Sequence, residues 1–264
     1  VNEAWLGLCR SATADVRRVL DELPTRRERE PVVGDGIGGD ETTAIDAAAE
    51  RVIVERLSEF GDYTLVSEEI GEIVKGSGKP WVVLDPIDGS LNAKRGLPHF
   101  CLSLAIADGP TMRDVAFGYV YDFGTEEEWT AQRGEGAWLN GARLGGVRPK
   151  DEIEILAFEA TLTSSIAEKA SAVVGIAYRL RVMGSLAIAL CNLAAGRIDG
   201  VCSLKPARSV DIAAAQLLVR EVGLAIDLPQ RPPFDDAPLD LLGHSRVVAA
   251  ATPALCARLA DALA

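Results

Sequence analysis

The run Pro80-Trp81-Val82-Val83-Leu84-Asp85-Pro86-Ile87-Asp88-Gly89-Ser90-Leu91-Asn92 constrains this chain more than any other, because an apolar stretch passes directly into two carboxylates three residues apart. Trp81 to Leu84 is short and β-favouring and would be buried, so Asp85 stands where a strand emerges. Pro86 fixes φ and is expected to stop the strand. The turn through Gly89 then brings Asp88 back toward Asp85, and Ser90 follows with a hydroxyl. Two carboxylates facing one small volume repel each other, and one takes up a proton unless a cation lies between them. Ligands that are all oxygen suit Mg²⁺ or Mn²⁺ rather than Zn²⁺. The same residues also make an ordinary solvated turn, so the choice depends on what other acidic segments accompany them.

Three such segments exist. Tyr63-Thr64-Leu65-Val66 reads as a strand ending in Ser67-Glu68-Glu69, and Ser209-Val210-Asp211 opens an apolar helix from Ile212 to Val219. Asp46 lies in the first turn of a helix that Thr42 or Thr43 can cap. Other acids have simpler readings: Glu69 as a neighbour that either supports the site's carboxylates or is solvated, Glu41 as a helix N-terminal charge and Asp235-Asp236 as a solvated loop. Taken alone, Asp211 would also read as a helix N-terminal charge.

The 264 residues, 48% hydrophobic, suffice for one unit. It is expected to have an N-terminal α+β lobe (about 1–150) and a C-terminal α/β lobe (about 151–264). A net charge of −12 argues against a nucleic-acid surface, so anionic substrates must be drawn in locally. Cys9, Cys101, Cys191, Cys202 and Cys256 are scattered through apolar stretches and read as buried thiols in a reducing compartment. No stretch reaches the roughly 18 to 20 apolar residues of a membrane helix. With no basic segment before an apolar core at the N-terminus, a cytoplasmic protein is expected.

Apolar spacing predicts a first helix from Trp5 to Leu20 closed by Pro24, and a second from Ile45 to Phe60. Short strands with turn signals run from Phe100 to Leu144, Asn140-Gly141 being the strongest hairpin signal. Beyond about Asp151, strands at 154–158 and 200–204 alternate with helices at 185–195 and 211–222, and Gln230 to Pro238 reads as a surface loop. Gly34, Gly36 and Gly39 have dinucleotide-fingerprint spacing. Only Val32-Val33 precedes them, however, no helix signal opens at Gly39, and Asp35 and Asp40 would repel a pyrophosphate, so a mobile Gly-rich loop is the better reading. His99 and His244 lack ligand spacing, and no Ser-His-Asp set accompanies Ser90.

Five ordered motifs carry a resemblance over nearly the whole chain: Val66-Ser67-Glu68-Glu69, Asp85-Pro86-Ile87-Asp88-Gly89-Ser90, Gly134-Glu135-Gly136-Ala137-Trp138-Leu139-Asn140-Gly141, Met183-Gly184-Ser185 and Val210-Asp211-Ile212-Ala213-Ala214. The chain resembles the inositol monophosphatase family of the lithium-sensitive, Mg²⁺-dependent phosphatases. Residues 34–46 and 92–98 are most similar to the archaeal type, whose members often hydrolyse both inositol monophosphate and fructose 1,6-bisphosphate. The resemblance implies an α+β fold, the layered αβαβα sandwich of the sugar phosphatases. It also implies a homodimer, and two or three Mg²⁺ ions, with Mn²⁺ able to substitute. It places Glu68, Asp85 and the Ile87 carbonyl on one ion and Asp85, Asp88 and Asp211 on a second. Two ions roughly 3.5 to 4 Å apart stabilise attacking and leaving oxygens together. Ser90 and Asp46 would orient and deprotonate the attacking water, with Glu68 also at the catalytic centre, and the Gly-rich loop would bring Asp40 near that water. Asp88, Gly89 and Ser90 would hold substrate phosphate, and Gly184 and Ser185 the ring hydroxyls.

In inositol-selective relatives an acid precedes the aspartate matching Asp211 by seven positions. Here that position is Leu204, and Lys205 follows it. Lys205, with Arg181, would favour a substrate carrying extra negative charge, such as fructose 1,6-bisphosphate. A 3′(2′),5′-bisphosphate nucleotidase and a non-catalytic metal-binding regulatory protein on the same fold are the rival readings.

Overall fold

The apolar stripes of the first sixty residues form a helical pair, α1 (Glu3–Glu22) and α3 (Ala44–Phe60), in a computed structural model that describes residues 3–37, 41–150, 152–159, 162–231 and 233–264. Between them lie a short helix α2 (Arg26–Arg29) and two antiparallel strands, β1 (Val32–Asp35) and β2 (Glu41–Thr43). The Gly-rich segment is thus partly strand. Gly38, Gly39 and Asp40 lie outside the described residues. Glu41 sits on β2 and not, as expected, in a helical first turn. Asp15 of α1 takes Arg18 on its own helix and Arg56 on α3, which ties the pair together.

Next come β3 (Tyr63–Ser67), β4 (Gly71–Lys75), β5 (Trp81–Asp88), α4 (Ser90–Arg95), β6 (Cys101–Ala107), β7 (Val115–Asp122), β8 (Glu127–Gln132), β9 (Gly136–Leu139) and β10 (Ala142–Arg143). They form an eight-stranded sheet in the order β10-β9-β8-β7-β6-β5-β3-β4, antiparallel except where β3 meets β5. The rest of the chain supplies β11 (Ile153–Glu159), α5 (Thr163–Lys169), β12 (Ala177–Arg181), α6 (Leu186–Ala194), β13 (Gly200–Ser203), α7 (Ser209–Glu221), β14 (Ala225–Asp227), β15 (Val248–Ala250) and α8 (Pro253–Leu263). Its sheet runs β12-β11-β13-β15-β14, with β11 parallel to both of its neighbours.

Period-two alternation decides the layering. On β5, Val82 and Leu84 join the core made with α1 and α3, while Val83 joins the core around α6 and α7. On β13 and β15, Val201 and Ala249 face that same central core, and Cys202 and Val248 face α8. The order is therefore helix pair, eight-stranded sheet, helix pair, five-stranded sheet, helix layer, which is the αβαβα sandwich implied by the resemblance. Each fully buried Leu, Ile or Phe in these cores contributes roughly 1.5–3 kcal/mol. All five cysteines are buried and free.

Two expectations need correction. Pro86 does not stop its strand: β5 continues to Asp88, and its register against β6 shifts between Asp85 and Asp88. A bulge there accommodates the missing N–H of proline. The segment from Gln230 to Pro238 is not purely surface, because a short 3₁₀ turn (Phe234–Asp236) buries Phe234 in the central core.

The expected hairpin at Asn140-Gly141 joins β9 to β10, with φ of 50° and 78° at its two central residues. No atom lies within 4 Å of a Cβ built on Gly141, so only backbone strain opposes a side chain there. Gly141→Ala is expected to cost about 1 kcal/mol, read as a lower midpoint in urea unfolding. An unchanged midpoint would contradict the turn assignment.

Candidate active site

Strand exits and helix starts from both sheets meet at one cavity of about 550 Å³. β3 delivers Glu68 just past its end, β5 delivers Asp85, Ile87 and Asp88, and the turn into α4 delivers Gly89 and Ser90. From across the molecule α7 adds Asp211, the segment before α6 adds Gly184, and the segment after β13 adds Lys205. Asp46 enters from the first turn of α3. The parallel pairing of β3 with β5, with Ser67 opposite Leu84, explains why Glu68 and Asp85 emerge side by side.

Hydrogen bonds fix the carboxylates. Asp85 Oδ1 accepts the Ile87 N–H at 3.0 Å. Asp88 Oδ2 accepts the Ser185 hydroxyl at 2.6 Å and the Ala187 N–H at 2.8 Å, so the start of α6 holds it. Gly89, at φ 92°, makes the turn that lets Ser90 begin α4, and the Ser90 hydroxyl donates to the Ile87 carbonyl at 2.9 Å. Asp46 Oδ2 accepts both the hydroxyl and the N–H of Thr43, whereas its buried Oδ1 has no partner.

Burial sets the electrostatics. It holds Asp85 well above the ordinary carboxylate range, and repulsion from Glu68, Asp88 and Asp211 adds to that. Glu68 is pushed up to about 7 by burial, against the pull of Arg208, and Asp88 to about 6 by burial, against its bond from Ser185. These acids share one depression with too little positive charge, and a divalent cation would relieve them. All donors are oxygen, and the buried Asp46 Oδ1 beside them lacks a partner, so the residues present fit a hard divalent ion. Among the described residues, no group of three or more His, Cys, Asp or Glu is arranged to hold an ion as it stands. Arg208 lies between Glu68 and Asp211.

Two sequence-predicted contacts fall elsewhere. Ser185 is buried and engaged with Asp88, so it supports a carboxylate and does not face the cavity. Arg181 ends the edge strand β12, exposed, with its guanidinium on the Leu180 carbonyl, and it does not line the cavity.

Glu41, Glu69, Lys94, Glu159 and Arg208 also line the cavity. Glu41 and Glu69 both face it, and Glu69 accepts the Thr42 hydroxyl, as a supporting neighbour of the site would. Lys94 lies four residues after Ser90, on the same face of α4. Glu159, at the end of β11, accepts the N–H groups of Met183 and Gly184 at 3.4 and 2.8 Å. The signal for Glu159 was available: it follows the apolar run of β11 as Asp85 follows that of β5.

The profile of the inositol monophosphatase family matches residues 4–264. The chain belongs to that family. A fructose-1,6-bisphosphatase/inositol-1-monophosphatase of Thermococcus kodakarensis is 38% identical over 192 residues, 72% of this chain and 71% of the relative. The Nus factor SuhB of Pasteurella multocida is 37% identical over 198 residues, 70% of each chain. Among solved structures, an inositol monophosphatase-fructose 1,6 bisphosphatase superposes with a TM-score of 0.83 at 25% identity, covering 98% of this chain and 99% of the other. Among the described residues, no helix is long and apolar enough to cross a membrane.

Proposed function

We propose that this chain is a divalent-metal-dependent phosphomonoesterase acting on a small sugar or cyclitol phosphate, with fructose 1,6-bisphosphate preferred to inositol monophosphate. The observation that carries the reading is one cavity holding Glu68, Asp85, Asp88 and Asp211 together with Lys94 and Lys205. Glu68, Asp85 and the Ile87 carbonyl would hold one ion, and Asp85, Asp88 and Asp211 another, Mg²⁺ being the natural occupant. Bound there, such ions supply Lewis-acid stabilisation of phosphoryl oxygens.

The chain's own groups do the remaining work. Ser90 spends its hydroxyl proton on the Ile87 carbonyl, which turns its lone pairs toward a water. Asp46 Oδ1 is the open acceptor for that water's proton. As the water oxygen bonds to phosphorus the ester P–O bond breaks, and the sugar hydroxyl leaves with a proton from solvent. Gly89 and Ser90 present backbone N–H groups to the phosphate, and Gly184, fixed by Glu159, faces the ring.

Lys94 and Lys205 favour a substrate with a second anionic group, and the thermococcal relative is named for both activities. Lys94→Ala and Lys205→Ala are each expected to raise KM for fructose 1,6-bisphosphate about tenfold while leaving that for inositol 1-phosphate nearly unchanged. Equal effects on both substrates would remove the second-anion argument. A relative named as a Nus factor keeps a non-catalytic role as the rival reading. The full carboxylate set in one cavity favours hydrolysis.

A further inference from the structure

Arg208 stands inside the acidic cavity, only 9% exposed, as the N-cap residue of α7. Its Nη2 lies 2.5 Å from Glu68 Oε1 and 2.9 Å from Asp211 Oδ1, and its Nε lies 3.4 Å from Asp211 Oδ2. One guanidinium thus spans a carboxylate beyond the eight-stranded sheet and a carboxylate on the central helix layer. Burial opposes its charge, yet Asp211 and Glu68 more than offset that cost and hold it firmly protonated. These two acids are assigned above to different ions. The guanidinium therefore engages one acid from each proposed donor set.

Resting on the metal-dependent reading above, we propose that Arg208 is a resident counter-cation that occupies Glu68 and Asp211 until a divalent ion displaces it, and that it thereby sets the affinity for the ion. The argument is one of charge and geometry. Glu68, Asp85, Asp88 and Asp211 crowd one part of this depression, and a fixed positive fork that satisfies two of them offsets their repulsion. A guanidinium cannot vacate by losing its proton, so it must swing out. Beside a divalent ion its charge turns from attractive to repulsive, and its long side chain permits that movement. Metal affinity is the net of ion binding and loss of the arginine bridge, a coupling between two cations competing for the same oxygens.

The test is titration of the full chain with Mn²⁺, following the signal of free Mn²⁺ by electron paramagnetic resonance at fixed pH and ionic strength. Arg208→Met should bind Mn²⁺ about tenfold or more tightly than wild type. With chelator present it should melt at a lower temperature than wild type, and its melting temperature should rise further when Mn²⁺ is added. Arg208→Lys, which keeps the charge but loses the two-pronged grip, should fall between the two in affinity. It carries the comparison should Arg208→Met not fold without metal. Binding by either variant that is equal to or weaker than that of wild type overturns the role of Arg208 and leaves the metal-dependent reading standing. Absence of Mn²⁺ binding by wild type and variants alike overturns both.

Discussion

Asp85→Asn is expected to lower kcat by about 10³-fold or more while leaving a folded protein. Asp85 is the carboxylate shared by both proposed ions, and it is buried and repelled by Glu68, Asp88 and Asp211. Replacing it with a neutral amide of the same shape removes the shared oxygen ligand and also removes repulsion. Activity and stability should therefore move in opposite directions. In chelator the variant should melt at or above the wild-type temperature, and the rise that Mg²⁺ gives to wild type should largely vanish. A variant that keeps substantial Mg²⁺-dependent turnover would sink the two-ion assignment, whereas one that is inactive because it is unfolded would show a lost melting transition.

Glu159→Gln should make stability less dependent on pH. Burial pushes the Glu159 carboxyl up to about 7, against the two backbone N–H groups that bond it. An unfolded chain would titrate it near the ordinary glutamate value, so between those limits the folded protein holds a proton that the unfolded chain has released. Stability from this group is thus present at low pH and lost as pH rises through about 7, a change on the order of 3 kcal/mol. Urea unfolding in chelator at pH 5 and pH 8 measures it. Wild type should lose more stability over that interval than Glu159→Gln does. A pH-independent difference between the two proteins would contradict the burial argument.

Where a rule of strand or helix periodicity applied, the sequence was readable. The apolar runs before Glu68 and Asp85 told that acids would emerge from buried strands, and the cap signal at Thr42-Thr43 placed Asp46 at the start of α3. What the sequence does not show depends on partners distant in the chain. Nothing local says that Ser185 faces Asp88 across 97 positions. Nor does polarity alone separate Lys205, which reaches the cavity, from Arg181, which leaves an edge strand for solvent. Pro86 misled because its missing N–H is tolerated at a bulge, which becomes visible only once β6 is paired. No local pattern singles out Arg208, because the carboxylates it joins, Glu68 and Asp211, meet only in the folded chain.

Phosphate release from fructose 1,6-bisphosphate, inositol 1-phosphate and adenosine 3′,5′-bisphosphate, measured with chelator and then with Mg²⁺ restored, tests the central claim most directly. The account predicts no release in chelator, recovery with Mg²⁺, and fructose 1,6-bisphosphate as the best of the three substrates. Release that ignores the chelator, or no release from any of the three when Mg²⁺ is present, would contradict it.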